Sequence, residues 1–375
     1  MIILYLALLV AGIGLFLLSY VAQFRLATLM RTRYPQHWKI VAEPEQGKPS
    51  AVRTWVRMQH VLRSPALPAL GDATIDSWQR VWRYSPWLGW ICWLAALAMR
   101  LLFRRTHERK IRMQLNLSGR HALVCGASQG IGRASAIELA ELGANVTLLA
   151  RSANALRSVA ETLPRAHPGQ RHDWRSVDML DTAGLEAAAV DIAATQPVHI
   201  LINNTGGPPG GPAHTATPAA FETAFRQHLL GNQTLLQALL PGMRASGYGR
   251  IVNVISTSVK EPIVGLGVSN TVRAAVAGWA KTLAGELAAD GITVNNVLPG
   301  YTRTGRLDGL LAAQATSSGR SEDEVAEGLM ATIPARRFGE ASEIAAVIAF
   351  LCTPAAAYVN GVSIAVDGGR TRALS

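Results

Sequence analysis

The chain has 375 residues and a mass of 40.0 kDa, with 49% hydrophobic and 16% charged residues. That balance excludes wholesale disorder, which needs low hydrophobicity and high charge, and the length suits two units or one domain with an appendage. The net charge of +11 is uneven: residues 1–114 hold 16 Lys/Arg against 5 Asp/Glu, whereas residues 115–375 hold 20 of each.

Met1 to Phe24 contains no charged residue, and Arg25, Arg31 and Arg33 follow. Twenty-four mostly apolar residues exceed the roughly 20 that a helix needs to cross a bilayer. No basic stretch precedes the run and no small-residue cleavage site closes it, so a retained anchor fits better than a cleaved signal. Gln46–Leu70, rich in Pro, Ser and Lys/Arg, reads as loop with a short helix near Ala51–Leu62. A second apolar element follows at 84–103, with Tyr84–Met99 uncharged and Trp82, Trp87, Trp90 and Trp93 regularly spaced. Tryptophan favours the headgroup region of a bilayer, where its ring is half buried and its N–H stays wet. This element is therefore expected to span or to lie in the interface.

Arg25–Arg83 carries ten Lys/Arg and Arg100–Arg112 six. Placing both on the cytoplasmic side satisfies the positive-inside rule only if the second element does not cross, so an interfacial position is the expectation. In layout, residues 1–114 resemble two-helix membrane proteins of the universal stress protein B type. Because the basic excess is tied to apolar helices, nucleic acid is not an expected partner; the lipid bilayer is.

From Leu115 the texture changes. His121–Cys125 is a short apolar run of the kind found in buried parallel strands. Gly126, Gly130 and Gly132 then form a glycine-rich turn, followed by an amphipathic helix ending at Gly143 and a second strand at Asn145–Leu149. Between a strand and a helix, such a turn lets backbone approach a pyrophosphate at a helix N-terminus. Further strands are predicted at His172–Val177, His199–Asn203, Arg250–Ile255, Ile292–Leu298 and Val362–Val366. Helices are predicted at Ala153–Leu163, Thr182–Ala194, Pro218–Met243, Asn270–Ala289 and Ala341–Leu351. Seven strands alternating with helices give an α/β fold, a doubly wound parallel (Rossmann) sheet over 115–375, preceded by a helical membrane appendage over 1–114. Cys92, Cys125 and Cys352 lie far apart, so neither a disulfide framework nor a metal site is expected.

Here the sequence resembles the short-chain dehydrogenase/reductase family, in particular its β-ketoacyl-carrier-protein-reductase-like members. The likeness covers Leu115 to Gly369 and rests on the glycine turn, Asp178, Asn203-Asn204-Thr205-Gly206, Pro299-Gly300 followed by Thr304, and Val366-Asp367-Gly368-Gly369. Cys125 stands where the family has Thr, and Thr205 where it has Ala. The resemblance implies a cofactor site of Gly126, Ser128, Gly130, Ile131, Gly132, Arg151, Asp178, Met179, Asn203, Gly206, Arg273, Pro299, Gly300 and Thr304. At the end of the second strand Ala150-Arg151-Ser152 offers an arginine and no acid. A guanidinium pairs with a 2′-phosphate that a carboxylate repels, so NADP(H) is expected over NAD(H).

Family members use a serine, a tyrosine thirteen residues later, a lysine four beyond that, and a helper asparagine. Counted in this chain, the serine falls on Ser256, the tyrosine position on Ser269, the lysine position on Arg273 and the asparagine position on His228. An aliphatic alcohol is a far weaker acid than a phenol, and arginine does not relay protons at neutral pH. His228 can carry a proton; Lys260, Tyr301 and His214 are other donors on predicted loops, with Lys260, four residues past Ser256, the foremost. Arg306–Pro334, helical in pattern, covers the substrate in this family. Its Leu307, Leu310, Leu311, Leu329 and Met330 either wall a hydrophobic pocket or pack on the core. Two functions follow: a membrane-anchored oxidoreductase of a small hydrophobic carbonyl or alcohol, a homo-oligomer among its expected states, or a silent NADP(H)-binding sensor or scaffold.

Overall fold

The computed structural model describes residues 2–42, 51–65, 67–111 and 113–374. The chain divides into two compact units, Met1–Arg112 and Met113–Ser375.

The first unit is helical: α1 (Ile2–Arg33), α2 (Pro35–Ala42), α3 (Ala51–Arg63) and α4 (Ala73–Ile111). Of the loop expected over Gln46–Leu70, residues 46–50 and 66 lie outside the described residues. The second apolar element is a segment of the 39-residue α4, and α4 runs antiparallel to α1. Arg33 pairs with Asp72 at 3.0 Å, the Ser19 hydroxyl meets the Trp82 carbonyl at 3.5 Å, and Phe16 packs edge-on against Trp90 and Trp93. Gly12 and Gly89 permit this approach. A Cβ on Gly12 would strike the Trp93 ring, and one on Gly89 would come 3.2 Å from the Gly12 carbonyl oxygen. The Trp-rich stretch expected in a bilayer interface thus lies alongside the apolar half of α1. Ile3, Val10, Leu17, Phe24, Trp87 and Leu94 are exposed in that paired region. The other ends differ: Leu26, Met30, Met58, Leu62 and Ile75 are buried together with Trp38 and Trp78 packed around them. One end of the hairpin is therefore a small closed core and the other an open apolar belt.

The second unit is a seven-stranded, wholly parallel sheet in the order β3-β2-β1-β4-β5-β6-β9. Its elements are β1 (His121–Cys125), α5 (Gly130–Glu141), β2 (Asn145–Ala150), α6 (Ala153–Thr162), β3 (His172–Ser176), α7 (Thr182–Thr195), β4 (Ile200–Asn203), α8 (Pro218–Phe225), α9 (Gly231–Ser246) and β5 (Gly249–Val254). They continue with α10 (Gly267–Leu287), β6 (Ile292–Pro299), β7 (Thr302–Arg303), α11 (Gly305–Ser318), α12 (Glu322–Ala331), β8 (Gly339–Glu340), α13 (Ala341–Leu351) and β9 (Ser363–Val366). β1, β4 and β5 are buried on both faces, as crossover helices on both sides of a parallel sheet demand. Two apolar clusters, one per face, form the core. The single helix expected over Pro218–Met243 is interrupted by a π-helical turn at Arg226–Leu230, which carries His228. Such turns are rare and gather at functional sites.

The sheet interior also carries a polar ladder. Asn203, Asn253, Asn296 and Ser363 are in register across β4, β5, β6 and β9. Their side chains join in sequence, Asn203 Nδ2 to Asn253 Oδ1 at 2.8 Å, Asn253 Nδ2 to Asn296 Oδ1 at 2.9 Å, and Asn296 Nδ2 to Ser363 Oγ at 3.0 Å. The switch in winding between β1 and β4 leaves a crevice beyond the strands' carboxyl ends, where such sheets bind ligands.

Candidate active site

The crevice begins at the glycine turn. Gly126 has φ 60°, and a Cβ there would lie 2.7 Å from the Asn204 carbonyl oxygen, so only glycine fits. Gly132 lies against the Gly126 carbonyl, which draws α5 onto the end of β1. The N-cap of α5, Gln129, makes no side-chain capping bond. The first amides of α5 therefore present unsatisfied donors at the positive end of the helix dipole. A cleft of about 630 Å³ runs from this turn past Ala150, Arg151, Asp178 and Met179 to Thr205, Gly206 and Thr304. Arg151 is exposed, its carbonyl held by the Ser176 hydroxyl at 2.7 Å. Among the described residues no carboxylate pairs with its guanidinium.

Of the cofactor residues expected, Gly126, Ser128, Gly130, Ile131, Arg151, Asp178, Met179, Gly206 and Thr304 line this cleft. Gly132 instead packs beneath the turn, and Asn203 is buried in the polar ladder, its amide turned into the sheet. The neighbouring Asn204 is the one that lines the cleft, donating weakly to the Cys125 and Gly126 carbonyls at 3.4 Å. A strand's alternation explains the swap: one step along the chain changes the face.

An adjoining cavity of about 600 Å³ brings together Ser256, Ser269 and Arg273 with Pro299, Gly300 and Tyr301. Ser256 leaves β5 and its hydroxyl accepts from the Ser258 amide at 3.1 Å. Ser269 and Arg273 sit one turn apart on α10, both buried, and Arg273 donates to the Val254 carbonyl at 2.9 Å. Burial, then the neighbouring Arg306, lowers the Arg273 guanidinium to about 10. It stays charged at neutral pH. His228 is 3% exposed, and its Nε2 has no hydrogen-bond partner among the described residues. Burial, followed by the charges of Arg273 and Arg306, pushes its imidazole down to about 3, against a weaker upward pull from a Gly206 backbone hydrogen bond. It is neutral near pH 7 and is not among the cavity-lining residues. Lys260 ends the turn Thr257–Val259 and does not line the cavity either, and His214 is exposed on the turn Ala213–Thr215. Tyr301, one of the weighed donors, does line it. Leu307 and Leu310 line it as well, whereas Leu311, Leu329 and Met330 pack around Ile333 and Phe338. Two further lining residues, Arg306 and Arg370, were not singled out from the sequence. Neither sits in a recognisable motif; only the folding of the α11 start and the C-terminal tail over the sheet brings them in.

Residues 126–371 match the family model described as enoyl-(acyl carrier protein) reductase. The chain is 33% identical to the 3-oxoacyl-[acyl-carrier-protein] reductase FabG of Escherichia coli, over 68% of this chain and 98% of FabG. It is 30% identical to the NADPH-dependent reductase BacG of Bacillus subtilis, over 69% of this chain and all of BacG. Among solved structures, L-sorbose reductase from Gluconobacter frateurii, complexed with NADPH and L-sorbose, superposes with a TM-score of 0.66 at 29% identity, over 70% of this chain and 100% of that one. With a seven-stranded parallel sheet, the glycine turn at its switch point and these relatives, the chain belongs to the short-chain dehydrogenase/reductase family.

Proposed function

We propose that the protein is a membrane-anchored oxidoreductase that uses NADP(H) on a hydrophobic carbonyl or alcohol. The observation that carries this reading is one crevice joining Arg151 and the uncapped start of α5 to the cavity over Ser256 and Ser269. The residues present fit the dinucleotide. Free α5 amides suit a pyrophosphate, and an arginine without a neighbouring acid suits a 2′-phosphate. NADP(H), when bound, supplies or accepts the hydride. The Ser256 hydroxyl would hold the substrate oxygen, Arg273 would place fixed positive charge beside it, and Leu307 and Leu310 would exclude water. Tyr301 is the single phenol lining the cavity among the described residues. The exposed apolar belt of α1 and α4 supports anchoring; the basic excess flanking it is the reason to place the dehydrogenase unit on the cytoplasmic side.

A second reading has its own observation. Ser269 and Arg273, at the positions where the family carries its phenol and ammonium, leave the usual proton donor missing, which favours a silent NADP(H) sensor or scaffold. Full-length protein should be assayed for NADPH oxidation with acyl, sterol and quinone carbonyls, alongside direct NADPH binding. The oxidoreductase reading expects slow turnover that falls on Ser256→Ala and rises in Ser269→Tyr/Arg273→Lys, general acid help being worth about 100- to 10,000-fold. If both wild type and double variant bind NADPH and neither reduces any carbonyl, the sensor reading stands.

A further inference from the structure

The cavity over Ser256 and Ser269 is lined by three arginines, Arg273, Arg306 and Arg370, and by no aspartate or glutamate among the described residues. None of the three has a carboxylate within 4 Å among those residues. Elsewhere in the same unit guanidinium groups do find carboxylates: Arg175 with Asp173 and Asp191, Arg244 with Asp290, Arg303 with Glu340 and Arg337 with Glu343. Inside the cavity the partners are neutral. Arg273, 8% exposed, donates to the Val254 carbonyl, and Arg306 to the Gly207 carbonyl at 3.3 Å. Arg370 lies over the Tyr301 ring, 4.9 Å from its centroid, and its buried Nε has no hydrogen-bond partner among the described residues. Arginine does not shed its proton in a protein, so these charges persist; Arg306 is exposed and Arg370 half-buried, but Arg273 is buried, and an uncompensated buried charge is costly. A counter-charge brought by a ligand removes that cost.

We propose that this cavity holds a subsite for an anionic group, a carboxylate or a phosphate, borne by an otherwise apolar substrate. The proposal deepens the oxidoreductase reading and rests on it for the word substrate. Arg306 also lines the nucleotide cleft and is shared with it, whereas Arg370 lines only the inner cavity. Arg370 is therefore the residue that separates a substrate anion from the dinucleotide's own phosphates. Ile263, Leu266, Leu307 and Leu310 complete the lining with aliphatic surface, which suits a hydrocarbon chain behind the charge. The planar fork of a guanidinium held on an aromatic face is preorganised for two parallel bonds to a carboxylate or phosphate.

The test is calorimetric titration of the full-length protein, saturated with NADP⁺, with hexanoate, hexyl phosphate and 1-hexanol. At least one anion should bind about tenfold or more tighter than hexanol, and raised ionic strength should weaken the anion alone. The better of the two anions identifies the head group. Arg370→Gln should abolish the advantage, Arg370→Lys should keep part of it, and both should leave NADPH affinity within about twofold. Equal binding of hexanol and both anions overturns the proposal, as does an anion affinity that Arg370→Gln leaves unchanged. If Arg370→Gln does not fold, the ionic-strength dependence of the wild type decides. Failure of wild-type protein to bind NADPH would strike the cofactor reading instead; the anion titration without nucleotide still decides the subsite.

Discussion

Replacing Arg151 by alanine isolates the group that distinguishes the two dinucleotides. The Arg151 carbonyl is fixed by Ser176 and the backbone belongs to the end of β2, so truncation removes the guanidinium and leaves the cleft wall in place. Hydrogen bonds to charged groups contribute about 1.5–3 kcal/mol. Because Arg151 is exposed, the lower end applies, and about 1.5 kcal/mol corresponds to a loss of roughly tenfold in NADPH affinity. NADH lacks the 2′-phosphate, so its affinity should hardly move. Ala150→Asp should act in the opposite sense, repelling the 2′-phosphate and offering an acceptor to a free ribose hydroxyl pair. Nucleotide fluorescence titrations of the full-length wild type and both variants with NADPH and NADH, at low and high salt, measure these affinities. The reasoning is refuted if wild type binds both nucleotides equally, or if Arg151→Ala weakens both to the same extent.

Three further outcomes are expected. The basic segments Arg25–Arg83 and Arg100–Arg112 both favour the cytoplasmic side, with the Trp-rich part of α4 in the interface; Ser64→Cys should therefore label from the same side as Ser317→Cys, and opposite-side labelling would mean that both helices span. Asn253, fully buried between Asn203 and Asn296, should not tolerate leucine: two stranded polar groups at about 1–3 kcal/mol each should lower the melting temperature clearly. His228 should make the fold acid-sensitive, because its folded value of about 3 lies below the unfolded 6.5. Above that unfolded value its contribution is fully present; as pH falls towards 3 the unfolded chain takes a proton that the buried ring refuses, at up to about 1.4 kcal/mol per pH unit. His199, lowered to about 4 mainly by burial, acts in the same direction, so denaturant titrations from neutral to acid pH should show a shallower decline in His228→Asn.

The sheet was legible because its signals are local. HALVC at β1, the glycines that follow and the register of apolar runs each report on a few neighbouring residues, and each strand appears where its run predicts. What sequence could not report was facing and closure. Asn203 and Asn204 are adjacent in sequence, and only the pleat decides that the first enters the ladder and the second the cleft. The π-turn at Arg226–Leu230 leaves no mark in the apolar pattern of Pro218–Met243, because one extra residue per turn shifts the pattern too little to see. Similarly, the sequence spacing of Trp87, Trp90 and Trp93 does not show that Gly12 and Gly89 let α1 and α4 meet beside them. Arg370 stands beyond the last family motif, and its place over Tyr301 depends on a contact 69 residues apart in sequence.

The three departures that the resemblance implies, at Ser269, Arg273 and His228, are related by more than loss. On the count from Ser256 that the resemblance implies, the places of a phenol and an ammonium, both able to exchange protons, fall on Ser269 and Arg273, which do not exchange them near neutral pH. The imidazole of His228, which titrates at about 6.5 in water, is held neutral by burial and then by the charges of Arg273 and Arg306. Ser269 and Arg273 thus give the cavity a group insensitive to pH and a fixed positive charge. A site decaying under relaxed constraint would be expected to let charges escape to solvent. Instead Arg273 remains buried against the Val254 carbonyl, and Arg370 is stacked on an aromatic ring with a nitrogen left free. The buried Arg273 guanidinium, without a counter-ion among the described residues, is a standing cost to the fold, and its convergence with Arg306 and Arg370 on one cavity is what the proposed anion would account for, whether that ligand is turned over or only held.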